Sequence, residues 1–188
     1  MTDFALAETR SWVERAVIGL QLCPFAKAPQ VKGQVRYVVC EAGDPESLLS
    51  VLVDELKLLA ATPPDRIETT LLVHPRVLTD FEDHNDFLEI VEAALVALDL
   101  EGVIQIASFH PRYRFAGSEP DDIANATNRA PHPTLHLLRE DSIERALATF
   151  TDPDSIFEAN IATMERLGPE GWSALQRQCR DDAERERS

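Results

Sequence analysis

Residues 35–75, "VRYVVCEAGDPESLLSVLVDELKLLAATPPDRIETTLLVHP", decide the fold. The stretch opens on VRYVVC (35–40) and closes on ETTLLVHP (68–75), two short runs rich in β-branched, aromatic and apolar residues that fit buried strands. Between them, GDPESLLSVLVDELKLL has helical periodicity. Asp44 is placed to cap that helix, and Pro45 stands at the first helical position, where a missing N–H costs nothing. The Pro63-Pro64 pair stops it. Strand, helix and strand in immediate succession imply two parallel strands joined by a right-handed crossover.

Outward from this unit the alternation continues. DFEDHNDFLEIVEAALVALDLEG (80–102) places Phe87, Ile90, Val91, Ala94, Leu95 and Leu98 on one helical face, with Gly102 as its stop, and VIQIASFHP (103–111) follows as a third strand. Toward the N-terminus, Phe4, Ala7, Trp12, Ala16, Val17 and Leu20 mark an amphipathic helix over 3–21. Leu22-Cys23-Pro24-Phe25 ends it, because Pro24 disfavours helical geometry at Cys23. Toward the C-terminus, TLHLLRE (134–140) reads as a fourth strand, and a helix starts at Asp141 or Ser142 and runs to about residue 150. Two more helices follow, one carrying Phe157, Ile161, Met164 and Leu167 up to Gly168-Pro169, the other carrying Trp172, Leu175 and Cys179. The expected architecture is one α/β domain over 1–180 with a small, three- or four-stranded, largely parallel sheet and flanking helices; a ferredoxin-like α+β sandwich is the competing arrangement. Residues 181–188 are expected to be a charged, frayed tail.

Composition narrows the function. A net charge of -15 argues against a nucleic-acid groove and against an anionic membrane surface, both of which need clustered Lys and Arg. An apolar content of 44% supplies a core. The acidic N-terminus has no apolar leader segment, no run approaches the length of a membrane span, and three widely spaced cysteines form neither a disulfide framework nor a C-x-x-C pair. The expectation is a reduced, cytoplasmic protein whose partner is a small molecule. Neither G-x-G-x-x-G nor G-x-x-x-x-G-K-[ST] occurs, so no nucleotide-cofactor fingerprint is present, and the cofactor is left open, a divalent metal included.

Strand ends locate the expected site. Ligands of open α/β sheets sit outside the carboxyl ends of the strands, and three strands here end at Cys40, at His74-Pro75 and at His110-Pro111. A fourth strand running antiparallel would begin at the same edge, with His132-Pro133. Side chains alternate along a strand, so Thr134 and His136 share one face and Ser108 and His110 share one. The intervening loop, 111–133, must cover that edge. Its SEPDDIANATNR segment fits a short helix capped by Ser118, with Asp121, Asn125 and Asn128 stacked on one face.

Each candidate has a chemical and a structural reading. His110 and His136 suit acid–base work, and His74, His110, His132 and His136 form the candidate metal-ligand set; strand-end hydrogen bonding would also explain them. His84, among charged neighbours at a helix start, reads as exposed. Asp121 as an acid–base or metal-orienting group, with Asn125 and Asn128, could position a substrate; capping is the alternative. Arg112, Arg114, Arg129 and Arg139 make the most basic stretch of an acidic chain, which points to an anionic substrate, with at least two of them expected instead to pair with Glu119, Asp122 or Glu140. Cys23 is a candidate nucleophile if a base lies near it, or else a small buried hydrophobe. Cys40 and Cys179 read as structural.

GLQLCPFA (19–26), LLVHP (71–75), SFHPRYRFAG (108–117) and NATNRAPHPTLHLLRE (125–140) together resemble a family of short bacterial proteins known only as a domain of unknown function. The likeness covers the chain to about the end of the 142–150 helix. It implies that Cys23, His110, Asp121, Asp122, Asn125, Asn128, Arg129, His136 and Arg139 fall on motif positions, whereas Cys40 departs from the pattern. It implies no activity or cofactor. The residues themselves favour a hydrolase or group transferase acting on a small polar, anionic molecule, with a non-catalytic ligand- or protein-binding module as the alternative.

Overall fold

A computed structural model of the protein describes residues 2–148 and 154–187. The strands are β1 (Val35–Val39), β2 (Thr69–Val73), β3 (Ile104–Phe109) and β4 (Thr134–Arg139). The helices are α1 (Thr2–Trp12), α2 (Lys27–Val31), α3 (Pro45–Ala61), α4 (Phe81–Ala97), α5 (Glu140–Leu147) and α6 (Asp154–Glu186). α1 runs on into a π-helical stretch, Val13–Ile18.

The fold is α/β, and the sheet order is β1-β2-β4-β3. β1 and β2 are parallel neighbours, from Val35↔Thr69 to Val39↔Val73. β4 lies between β2 and β3, antiparallel to both. Three of the four strands therefore point one way, as the alternation predicts, but only one pairing is parallel. The reason lies in the connections. α3 and α4 carry the chain back to start β2 and β3 in the same sense, and the α4 crossover leaves a gap between them. A loop, not a long helix, joins β3 to β4, so the chain returns reversed and fills that gap.

Helices cover both faces. On one, α3 and α4 pack Leu48, Leu52, Leu56, Phe87 and Val91 against Leu72, Leu135 and Leu137. On the other, α1, its π-helical extension and α6 pack Trp12, Val13, Met164, Trp172 and Cys179 against the side of the sheet that carries Leu71 and Phe109. The expected cap is in place: Asp44 accepts from the Ser47 N–H at 2.8 Å with Pro45 in the first turn; Asp80 caps α4 likewise, accepting from the Glu82 N–H at 2.9 Å. α6 is broken at Gly168 (φ 67°, ψ 172°), ahead of Pro169, where a residue with a Cβ would be strained.

Two expectations change. The charged end is helical as far as Glu186 and docked: Ala183 is fully buried, and Asp182 accepts from Arg15 at 2.5 Å and from Ser11 at 2.7 Å. The helix expected over 142–150 begins earlier, at Glu140, and its last two residues lie outside the described residues. Among the described residues, no helix is long and apolar enough to cross a membrane.

Candidate functional site

The carboxyl ends of β1, β2 and β3 and the start of β4 do share one edge, since Thr134 pairs with both Val73 and Phe109. The pleat then separates the histidines gathered there. His136 stands opposite Ala107. Ser108 and His110, on alternate positions, therefore project to the other face. His74 and His110 lie on the α4 side, and His136 lies on the α1 side, so the expected His110/His136 pair does not form.

On the α4 side, His74 and His110 meet His84, which is fully buried rather than exposed. The α4 start that carries it packs inward on the sheet edge. Ring centroids are 5.4 Å apart for His74 and His84 and 5.2 Å for His84 and His110. His74 Nδ1 bonds the Val77 carbonyl at 3.0 Å. His110 Nδ1 accepts the Arg112 N–H at 3.0 Å, which puts the imidazole proton on Nε2. His74 Nε2 and both ring nitrogens of His84 have no hydrogen-bond partner among the described residues, and His110 Nε2 makes no close bond although the Leu78 and Thr79 backbone lies near it. Burial pushes His74 down to about 4 and His84 down to about 3, and lowers His110, so the group is neutral at pH 7.

The candidate metal set does not assemble. His136 lies across the sheet, and His132 Nε2 sits 2.9 Å from Glu8 Oε2, tying the loop to α1. Among the described residues no three His, Cys, Asp or Glu side chains are grouped to hold a metal ion.

The polar loop is largely consumed by its own architecture. Its helix is a short 3₁₀ segment, Ile123–Asn128, capped by Asp122 rather than Ser118, and Asp121 falls outside it. Asn125 is fully buried; its Oδ1 accepts from the Phe115 N–H at 2.9 Å and the Ser118 hydroxyl at 2.7 Å, and its amide donates to the Glu119 carbonyl at 2.8 Å. The Asn128 carbonyl accepts the His110 N–H, and its side-chain amide donates to the Ser108 carbonyl at 3.4 Å. Arg129 donates to the Tyr113 and Pro120 carbonyls. Arg139 donates to the Leu59, Thr62 and Ile67 carbonyls, closing the C-terminus of α3. Among the described residues, Arg112 alone of the four forms an ion pair, with Asp80 at 3.0 Å. The expected pairing with Glu119, Asp122 or Glu140 is absent among the described residues.

A concave feature lies on the other face of the sheet. A cavity of about 690 Å³ opens between the sheet and the first helix; Leu71, Ala107, Phe109 and His136 line it from the sheet, and Trp12 and Cys23 line it from the N-terminal segment. His136 Nε2 lies 2.7 Å from Thr69 Oγ1, whose hydroxyl is 2.6 Å from the Leu137 carbonyl. The single Thr69 proton is spent on that carbonyl. The hydroxyl must accept from the imidazole, which fixes the Nε2–H tautomer and leaves Nδ1 with the free lone pair. Burial holds His136 down to about 4, so it is neutral at pH 7.

Cys23 reaches the same cavity by a distinctive local path. The π-helical stretch Val13–Ile18, a rare geometry frequent at functional sites, precedes it, and Gln21 takes a left-handed φ of 58°. The turn places the N–H groups of Phe25 and Ala26 near the sulfur, with the Ala26 N–H donating to the Cys23 carbonyl at 3.3 Å. Burial raises the thiol pKa, and those two N–H groups pull it partly back. Asn160 holds the turn from α6 through the Leu22 carbonyl at 2.9 Å. Trp12 lines the cavity too, and its indole N–H has no acceptor among the described residues. Neither Thr69 nor Trp12 is marked out in the sequence. The one signal for Thr69 is a hydroxyl in an otherwise apolar buried strand.

The structure thus brings Cys23 and His136 to one cavity, sets His74 and His110 with His84 elsewhere, and leaves Asp121 exposed. No curated protein and no solved structure shows significant similarity to the chain. One family model matches residues 5–174, nearly the whole domain, from α1 to beyond the break in α6. The chain accordingly belongs to the family described as "Protein of unknown function (DUF1415)".

Proposed function

We propose that this protein is a thiol-dependent hydrolase or group transferase acting on a small, largely apolar carbonyl compound, with Cys23 as nucleophile and His136 as general base. The observation that carries this reading is that two residues far apart in the chain, one thiol and one neutral imidazole of defined tautomer, line a single apolar cavity. The lining replaces the polar, anionic substrate expected from the loop with a mainly apolar one, since cavities of this size bind ligands through apolar walls and a few placed polar groups. In this scheme the Cys23 proton passes to His136 Nδ1 as sulfur bonds the substrate carbonyl carbon. The bond to the leaving group then breaks, and the leaving group takes that proton. Water, activated by the same nitrogen, hydrolyses the acyl-enzyme, or an acceptor nucleophile takes the acyl group. Thr69 positions the imidazole.

The test uses p-nitrophenyl butyrate and a butyryl thioester with intact protein and peptide mapping by mass spectrometry. The expected result is an acyl adduct on Cys23, absent in Cys23→Ala, slowed by roughly a hundredfold in His136→Gln and unchanged in His110→Ala. Turnover or acylation that survives Cys23→Ala would sink the reading. A cavity that binds the ester while Cys23 stays unmodified would favour the non-catalytic binding module instead.

A further inference from the structure

A second depression, of about 460 Å³, shares no lining residue with the Cys23/His136 cavity. It lies where the loop after β3 meets the start of α4, and its lining includes Arg112, Arg114, Arg129, Asp80 and Glu82. Three guanidinium groups at one place stand out in a chain of net charge -15. An arrangement of this kind is ordinarily neutralised by neighbouring carboxylates, and here the neutralisation is incomplete.

The charges divide as follows. Asp80 is already engaged twice, by the Glu82 N–H at 2.9 Å and by Arg112 at 3.0 Å. Arg129 spends its Nε–H and one terminal N–H on the Tyr113 and Pro120 carbonyls, which fix its plane and leave its other N–H groups unused. Asp122 is near enough to favour its charge, yet burial still lowers its pKa, and no carboxylate forms an ion pair with it among the described residues. Arg114 has no hydrogen bond or ion pair among the described residues. Glu82 is the carboxylate in the depression that remains to oppose a bound anion. Two guanidinium groups without carboxylate partners, one of them rigidly held, match the charge and fork geometry of a dianionic tetrahedral group better than a single carboxylate.

We propose that Arg114 and Arg129, with Arg112 at the margin, form a binding site for a phosphate group, carried by a small phosphomonoester or present as inorganic phosphate. The site is independent of the chemistry assigned to Cys23 and His136.

Calorimetric titration of the full chain at constant ionic strength tests it, with inorganic phosphate, phenyl phosphate and acetate as probes. One phosphate or phenyl phosphate per chain is expected, with acetate at least about tenfold weaker. Tighter binding of phenyl phosphate identifies an ester as the carrier, and tighter binding of inorganic phosphate identifies the free ion; either supports the site. Arg114→Gln removes a side chain with no structural bonds, so it should keep the wild-type melting temperature and weaken both phosphates about tenfold. Arg129→Lys keeps the charge but loses the fork and should also weaken both. Cys23→Ala should bind phosphate as the wild type does, which separates this result from the acylation test. The proposal is overturned if neither phosphate binds, if acetate binds equally well, or if Arg114→Gln leaves both affinities unchanged.

Discussion

The loop from Pro111 to Pro133 and the cavity at Cys23 present opposite cases. The loop is dense with Asn, Asp, Arg and His, yet Asn125, Arg129 and His132 hold carbonyls, amides or Glu8 and build the loop itself. The cavity is mainly apolar, but the Thr69 contact at Nε2 leaves the His136 Nδ1 lone pair unspent. The difference teaches that chemical capacity follows from what a polar group has left over after folding, not from how many polar groups a segment contains. The Arg114 and Arg129 depression is a place where the loop keeps such a surplus.

The largest test of this contrast is acid. His74, His84 and His136 are neutral through burial, with folded-state pKa values below the unfolded value near 6.5. The unfolded chain therefore takes up protons first as pH falls. The stability these groups contribute is complete above about pH 6.5 and drains away toward their folded values of about 4 and about 3. Between pH 7.5 and 5 each should cost about 2 kcal/mol, and urea melts should show the loss. His84→Leu should flatten the slope; an unchanged slope would mean that His84 is not a buried neutral group.

Asn125→Ala comes next. It strands the Phe115 N–H and the Glu119 carbonyl and should cost about 2–3 kcal/mol, while binding of an apolar ester in the cavity is unaltered. Loss of that binding at full stability would erase the distinction between the two regions. Thr69→Val should cost about 1 kcal/mol and slow Cys23 acylation about tenfold, because the His136 tautomer is no longer imposed. A flatter pH–rate profile would accompany it. Smallest of all, Asp121→Ala should leave stability within about 0.5 kcal/mol of wild type and leave the phosphate and acylation assays unmoved.

Much of the fold was legible because local rules agree with one another along the chain. Asp44 and Pro45 start α3, His74-Pro75 and His110-Pro111 end strands, and Gly168-Pro169 breaks α6 where the periodicity stops. Side-chain parity within a strand was legible as well. Parity between strands was not, since it depends on register: the pairing of His136 with Ala107 sends His136 away from His110. His84 misled for a related reason. Its neighbours Asp83 and Asn85 are charged or polar, but a helix shows a different face at each residue, and the face that carries His84 also carries Phe87 and Val91 into the core. Cys23 was visible as a candidate, but its base was not, because only the tertiary fold brings His136 of β4 to the cavity that Cys23 lines.

β4 completes the sheet from its middle. β2 and β3 have no direct hydrogen bonds to each other, so their alignment waits for a segment made later than either. During synthesis, a nascent chain that ends before Thr134 holds the β1–β2 pair with one edge of β2 open and β3 unattached. Such a chain is a template for pairing with its neighbours. The same order makes closure of the central pairings a non-local, slow step in refolding. The interval between emergence of β3 and arrival of β4 is thus the chain's period of greatest exposure to misassembly, and the long connection from His110 to Pro133 sets its length.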